Sequence, residues 1–322
     1  MKAVYLEQFG GPEVLTAGEL PDPKVGPHDV LVALAGAGVN FIDTYQREGK
    51  YPDEFPLIPG FEGAGEVVAA GDAVTRFRVG DSVAWPMARA SYAELVAVDE
   101  DKCVLVPPKM SNDVAAGLML QGITAHYLTE SVYPVGPETT AIVHAAAGGT
   151  GQALIQAIRA RGGHAIGTVS TQEKAAVARA TGATDVIVHS EADFVEVSKA
   201  LTGGKGVDVV YDGIGSDTLE RGLHALRRRG MMVYFGAASG SADALDLQLL
   251  SSLGSLSISK PTLKDFITST EELEHRSSEL FGWIERGVFS PPTITHYRFD
   301  QASDAHRDLE SRASTGKLLL IS

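Results

Sequence analysis

Apolar positions fall into two rhythms along the chain. In roughly the first hundred residues they form short runs, at 30–35, 65–70 and 91–98, cut by turn clusters at Pro21-Asp22-Pro23, Gly26-Pro27, Gly71-Asp72 and Gly80-Asp81. Short strands between frequent Gly and Pro turns predict a β-rich domain of barrel type. Pro107-Pro108 closes that region, and Ser111 can cap a helix running toward Glu130. From Thr139 the rhythm becomes strand, helix, strand, helix. Strand-like runs stand at 140–145, 164–169, 185–188, 207–211, 231–235 and 256–259. Helical stretches at 151–161, 172–181, 191–201 and 216–229 alternate with them, each followed closely by glycine. Six strands with helical crossovers predict an α/β fold built on a doubly wound parallel sheet of Rossmann type. Beyond residue 260 the pattern predicts a long amphipathic helix over 263–286 and a closing strand over 317–321. That tail is expected to return to the first domain, giving domains 1–120 with 261–322, and 121–260.

Composition narrows the class. The 322 residues suffice for two domains, with 44 % hydrophobic and 21 % charged positions. The 27 Lys+Arg against 41 Asp+Glu leave a net charge of −14. Nucleic acid or an anionic membrane as the main partner would demand a basic face, so both are disfavoured. A single cysteine, Cys103, excludes disulfides within the chain and cysteine-based zinc clusters. No stretch reaches the roughly 18 apolar residues of a membrane span. MKAVYLEQFG carries neither a long apolar run nor a cleavage site. The expectation is a cytoplasmic protein.

The junction of the first strand and first helix of the predicted sheet reads Ala146-Ala147-Gly148-Gly149-Thr150-Gly151. This is G-x-G-x-x-G with alanine in the first place. Gly148 admits a pyrophosphate to the backbone, Gly151 lets the helix pack against the strand, and the helix N–H groups face the phosphates. A glycine pattern alone is weak, but here a strand precedes it, a helix follows, and five more strands come after. An NAD site usually places Asp or Glu at the tip of the second strand. This strand ends Val169-Ser170-Thr171, with Lys174 one turn later and Glu173 between, able to point outward. That group suits a 2′-phosphate, so the expected cofactor is NADPH. Ser170-Thr171 can equally cap the next helix, and both roles are compatible.

The chain resembles the zinc-free quinone oxidoreductases of the medium-chain dehydrogenase/reductase superfamily, the group that includes zeta-crystallin. The resemblance rests on Gly38-Val39-Asn40-Phe41-Ile42-Asp43-Thr44-Tyr45, Pro59-Gly60-Phe61-Glu62-Gly63-Ala64-Gly65-Glu66-Val67, the glycine turn from His144 to Gly151, Val209-Val210-Tyr211-Asp212-Gly213-Ile214-Gly215, and Leu309-Glu310-Ser311-Arg312. It implies a GroES-like catalytic domain beside the Rossmann domain, and a homodimer paired through the sixth strand. Zinc-dependent relatives carry a cysteine where Asn40 stands and a histidine where Phe61 stands. Neither residue here is a usual zinc ligand, so no metal is expected.

The resemblance further implies direct hydride transfer from the nicotinamide to a quinone, with Asn40 and Tyr45 nearby to meet the developing oxyanion. Read from the residues alone, Asn40 can cap the segment beginning Asn40-x-x-Asp43, and Tyr45 can simply pack. The rule that ligands bind at the carboxyl ends of parallel strands adds Gly213, Phe235, Gly236, Ala237, Ser259 and Lys260 as cofactor contacts. Thr124 and Arg312 match family contacts, and His189 stands where the bacterial enzyme has a tyrosine near the adenosine phosphate. Two alternatives stand beside quinone reduction: a reductase of α,β-unsaturated ketones or aldehydes, and an NADPH-binding protein of little turnover.

Overall fold

The chain opens with an antiparallel ribbon of β1 (Lys2–Tyr5) and β2 (Thr16–Glu19). β3 (Asp29–Val39), α1 (Phe41–Arg47), β4 (Glu62–Ala70), β5 (Ser82–Trp85), β6 (Leu95–Asp99), β7 (Val104–Leu105) and α2 (Asn112–Tyr127) follow. The computed structural model describes residues 1–240, 244–312 and 314–322. Two units divide the chain: Met1–Ile123 with Ile267–Phe281 and Pro291–Ser322, and Thr124–Phe266 with Gly282–Ser290.

In the first unit β3 is the organising strand, pairing antiparallel with β4 and β6. Its apolar alternation buries Val30 and Val32 with Val67, Val83, Trp85 and Val96. The strand expected at 91–98 begins only at Leu95. Residues before it are engaged elsewhere: Ser91 Oγ accepts the Trp85 indole N–H at 2.9 Å, and Tyr92 N–H donates to Pro59 O at 3.1 Å. Ser111 does cap α2, taking the Val114 N–H at 3.3 Å.

The second unit contains β8 (Thr140–Val143), α3 (Gly149–Ala160), β9 (His164–Val169), α4 (Gln172–Thr181), β10 (Asp185–Val188), α5 (Phe194–Leu201), β11 (Val207–Asp212), α6 (Leu219–Ala225), β12 (Leu226–Tyr234), α7 (Leu247–Ser252) and β13 (Ser257–Ser259). The six strands are parallel in the order β10-β9-β8-β11-β12-β13, so the direction of winding reverses at β8. Ile142, Ile166, Val210, Leu223 and Met232 form its core. The helix expected over 191–201 starts later because Asp193 caps it, accepting from Val195 and Glu196 N–H at 2.7 and 3.2 Å. The helix expected over 216–229 stops at Ala225, and the arginines after it fall within β12, where Arg229 takes a left-handed φ of +58°.

α8 (Thr270–Glu285), β14 (Ile294–Arg298), α9 (Ala302–Glu310) and β15 (Lys317–Ile321) complete the chain. The long helix expected over 263–286 is therefore shorter. Ser269 and Glu272 start it afresh, Ser269 Oγ accepting Glu272 N–H at 3.3 Å and the Glu272 carboxylate accepting Thr268 N–H at 2.9 Å. β15 lies antiparallel on β3, with Leu318 opposite Val39 and Leu319 opposite Gly38. That register sets the last charged residue of the chain, Lys317, close to Asn40.

Candidate active site and cofactor site

In the second unit the glycine turn follows β8, at the point where the strand order reverses. Ala145 adopts a left-handed φ of +51°, and Gly148 caps α3. Among the described residues no side chain caps that helix, and no acidic residue stands in its first turn. Its N–H groups and the positive end of its dipole are thus left for an anion. Gly151 is a steric requirement, since a Cβ there would lie 2.3 Å from the Ala145 carbonyl oxygen. These residues fit a dinucleotide pyrophosphate, with Gly149 and Thr150 in the opening turn.

Ser170, Thr171, Lys174 and His189 come together at the carboxyl ends of β9 and β10. Val169 pairs with Val188, and the next residue, His189, donates its N–H to Val169 O at 2.9 Å. Thr171 caps α4, its hydroxyl accepting Lys174 N–H at 3.3 Å. Glu173 is exposed, folded back over the first turn of α4. Its carboxylate accepts from its own N–H and from the Thr171 hydroxyl, which holds it below the usual carboxylate range.

Gly213, Phe235, Gly236 and Ala237 form a second cluster beyond β11 and β12. Phe235 N–H donates to Asp212 O at 2.9 Å, and Ala238 N–H to Gly213 O at 3.2 Å. Ser259 ends β13, and the Lys260 ammonium sits 4.6 Å from the centre of the Tyr234 ring. Thr124 is buried in α2. Two residues without an assigned role in the sequence organise this edge. Asp212 is fully buried and accepts from Ile214 N–H, Gly215 N–H and the Thr218 hydroxyl, shaping the loop after β11. His144, also buried, meets the Thr168 hydroxyl at 2.7 Å, and desolvation lowers its pKa to about 4.

In the first unit Asn40 caps α1, and Asp43 reaches back to its N–H at 2.8 Å. The Asn40 side chain turns the other way. Its Oδ1 accepts from Lys317 Nζ at 2.7 Å, and its Nδ2 donates to Gly38 O at 3.1 Å and Glu62 Oε2 at 2.9 Å. Glu62 also takes Lys317 Nζ at 2.5 Å and Leu120 N–H at 2.7 Å. Both amide hydrogens of Asn40 are therefore committed within the protein. The Asn40 side chain thus faces Gly38, Glu62 and Lys317, while its backbone caps α1. Tyr45 stands half-buried on α1, its ring centre 6.5 Å from that of Phe41 and 4.3 Å from the Lys50 ammonium. Arg312 is exposed just past α9, with φ +57°.

On the far side of Asp43 lies a run of buried polar groups that sequence reasoning did not assign. Tyr92 Oη donates to Asp43 Oδ2 at 2.8 Å and lies 3.2 Å from His306 Nε2. Arg47 Nη1 meets His306 Nδ1 at 3.0 Å, and Arg47 Nη2 donates to Glu310 at 2.5 Å. Asp43, Tyr92, His306 and Arg47 are each at most 1 % exposed. Burial pushes the Asp43 carboxyl up to about 7, against the Tyr92 hydroxyl, the Asn40 N–H and the Lys317 charge. Burial, and then Arg47, pushes His306 down to about 3. The visible signals were the Asn40-x-x-Asp43 spacing and one lysine at the head of an otherwise apolar strand.

A zinc ion in the position used by zinc-dependent relatives does not fit these residues. Phe61 is buried and offers no donor atom, while the Asn40 oxygen is held by a buried ammonium. That ammonium would repel a cation.

Two family models match the chain, the alcohol dehydrogenase GroES-like domain over residues 26–129 and the zinc-binding dehydrogenase over residues 149–280. With the parallel sheet and its glycine turn, they define a medium-chain dehydrogenase/reductase. A quinone oxidoreductase of Pseudomonas aeruginosa is 40 % identical, over 99 % of each chain. A 2-haloacrylate reductase of Burkholderia is 38 % identical, over 99 % of this chain and 98 % of its own. The crystal structure of Escherichia coli quinone oxidoreductase complexed with NADPH superposes with a TM-score of 0.97 at 40 % identity, covering all of both chains. The chain belongs to the quinone oxidoreductase family.

Proposed function

We propose that this protein is an NADPH:quinone oxidoreductase that delivers hydride directly to the quinone, without a metal ion. The observation that carries the reading is the open N-terminus of α3 behind Gly148, at the switch point of the parallel sheet. The NADPH complex of the Escherichia coli relative and the quinone oxidoreductase relatives at 40 % identity support the choice of cofactor and substrate class.

NADPH, when bound, supplies a hydride from C4 of its nicotinamide. The chain's own part is to bind and orient. Gly148–Gly151 and the α3 amides hold the pyrophosphate. Ser170, Thr171, Lys174 and His189 hold the 2′-phosphate, with Arg312 contributing a further cation. Gly213, Phe235, Gly236, Ala237, Ser259, Lys260 and Thr124 line the remainder. Tyr45 donates a hydrogen bond to the quinone oxygen as negative charge develops there. Asn40 sets the position of α1, and so of Tyr45. Quinones are electron-poor enough to accept hydride without a Lewis acid, which agrees with the donor set around Asn40.

A second reading, reduction of an alkene activated by a carbonyl or carboxylate, is favoured by the likeness to 2-haloacrylate reductase. Oxidation of NADPH is followed with 1,4-benzoquinone, 9,10-phenanthrenequinone and a panel of enones, with and without a strong chelator. Faster turnover with the quinones, unchanged by chelation, is expected. Turnover confined to enones establishes the second reading, and loss of activity on chelation sinks the metal-free mechanism. Tight NADPH binding with no oxidation by any acceptor makes the protein a cofactor binder of little turnover.

A further inference from the structure

The buried groups beside α1 can form hydrogen bonds in one sense only. Arg47 has N–H donors and no acceptor, so the His306 Nδ1 at 3.0 Å must accept. His306 is buried beside a cation, so it is neutral, and its one proton must sit on Nε2. That proton points at Tyr92 Oη, 3.2 Å away, which leaves the Tyr92 hydroxyl to donate to Asp43 Oδ2 at 2.8 Å. The same oxygen accepts the Asn40 N–H. Every donor from Arg47 onward therefore faces Asp43. The chain cannot pass protons inward from solvent, because its outer end is a guanidinium that has none to release. It is a brace, with its outer end tied to Glu310 and to the Gly10 carbonyl.

We propose that Tyr92 and His306 are positioning residues for the reaction, acting through the Asp43 carboxylate to set the first turn of α1 and hence the place of Tyr45. This rests on the reading that α1 faces the quinone. Neither residue touches the reacting atoms. Asp43 is met by the Asn40 N–H at the cap of α1, by Tyr92 ahead of β6, by Glu62 of β4 and by Lys317 of β15. Of these contacts, only the Tyr92 hydroxyl can be deleted without removing a charge or a backbone group.

The test joins spectroscopy to kinetics on the intact protein. In ¹⁵N NMR of the imidazoles, His306 is expected as the neutral Nε2–H form from pH 5 to 8. At pH 8, where the Asp43 carboxyl held near 7 is ionised, Tyr92→Phe, which keeps the ring, is expected to lower kcat with benzoquinone about tenfold, the lower end of what one hydrogen bond to a charged group supplies. The dissociation constant of NADPH should not move. Asp43→Asn should lower kcat as well, and the double variant should lose no more than Asp43→Asn alone, because both act through one carboxylate. An Nδ1–H tautomer, full activity in Tyr92→Phe, or losses that simply add in the double variant would each overturn the proposal. A wild type that reduces no quinone overturns the function itself, and is distinguished by needing no variant to show it.

Discussion

Lys317 Nζ lies 2.7 Å from Asn40 Oδ1 and 2.5 Å from Glu62 Oε2, and the lysine side chain is fully buried. Residues 277 positions apart thus share one hydrogen bond at the head of α1. Removing one partner of a buried ion pair leaves the other charge uncompensated, at a cost of about 3–5 kcal/mol. Lys317→Met should therefore lower the midpoint of chemical denaturation sharply. Adding Glu62→Gln should recover most of that loss. If the double variant is no more stable than the single one, the lysine acts through packing and not through the pair.

Asp43 and the buried histidines make opposing contributions to the pH dependence of stability. Asp43 is held near 7 in the folded chain against 3.8 for a free carboxyl, so between those values the folded state binds the extra proton. Its stabilising contribution is full below about pH 4 and is lost as pH rises toward 7. His306 and His144 are depressed to about 3 and about 4, so below pH 6.5 the unfolded chain binds the extra protons and stability falls as pH falls. In the wild type these slopes partly cancel. Asp43→Asn should remove one side, making stability rise more steeply between pH 4 and 6.5, by up to about 1.4 kcal/mol per pH unit. Urea denaturation at four pH values measures the difference. Equal slopes in the two proteins would mean that Asp43 ionises normally.

Glu173 and Lys174 should pull cofactor choice in opposite directions. Glu173 occupies the Thr171 hydroxyl at the tip of β9, beside Lys174. Lys174→Ala should weaken NADPH by about 10- to 150-fold and NADH far less, as expected for a hydrogen bond to a charged group. Glu173→Gln should strengthen NADPH by removing a like charge. Dissociation constants for both cofactors, at one ionic strength, decide this. Equal weakening of NADH and NADPH in Lys174→Ala would place the 2′-phosphate elsewhere.

β13 is the edge strand of the six-stranded sheet, and open edges invite pairing. A homodimer joined through Ser257–Ser259 is the expected state. Light scattering should return twice the 33.9 kDa of one chain. A mass of one chain at micromolar concentration would rule the pairing out.

The parallel sheet and its glycine turn were legible in the sequence because their causes are local. Apolar runs of strand length, glycines after helices, and the Ala146–Gly151 spacing all act within a few residues. Thr171 was legible as a cap for the same reason, and Ser111 likewise. Helix ends were misread wherever a distant or unexpected side chain intervened, as at Asp193 and at the Ser269–Glu272 pair. Asn40 shows the limit most clearly. Its neighbours predicted a helix cap, and only the family resemblance implied an oxyanion donor. Neither predicted its side-chain partners, which are Lys317, brought beside it by the pairing of β15 with β3, and Glu62 from β4. A buried amide takes whatever partners desolvation leaves it, and those partners are set by strand register. Tyr92 meets Asp43 across 49 positions and His306 meets Tyr92 across 214, contacts that only tertiary packing supplies. Local patterning was sufficient to specify the cofactor fold, and only tertiary pairing decided which polar groups beside α1 are spent on structure.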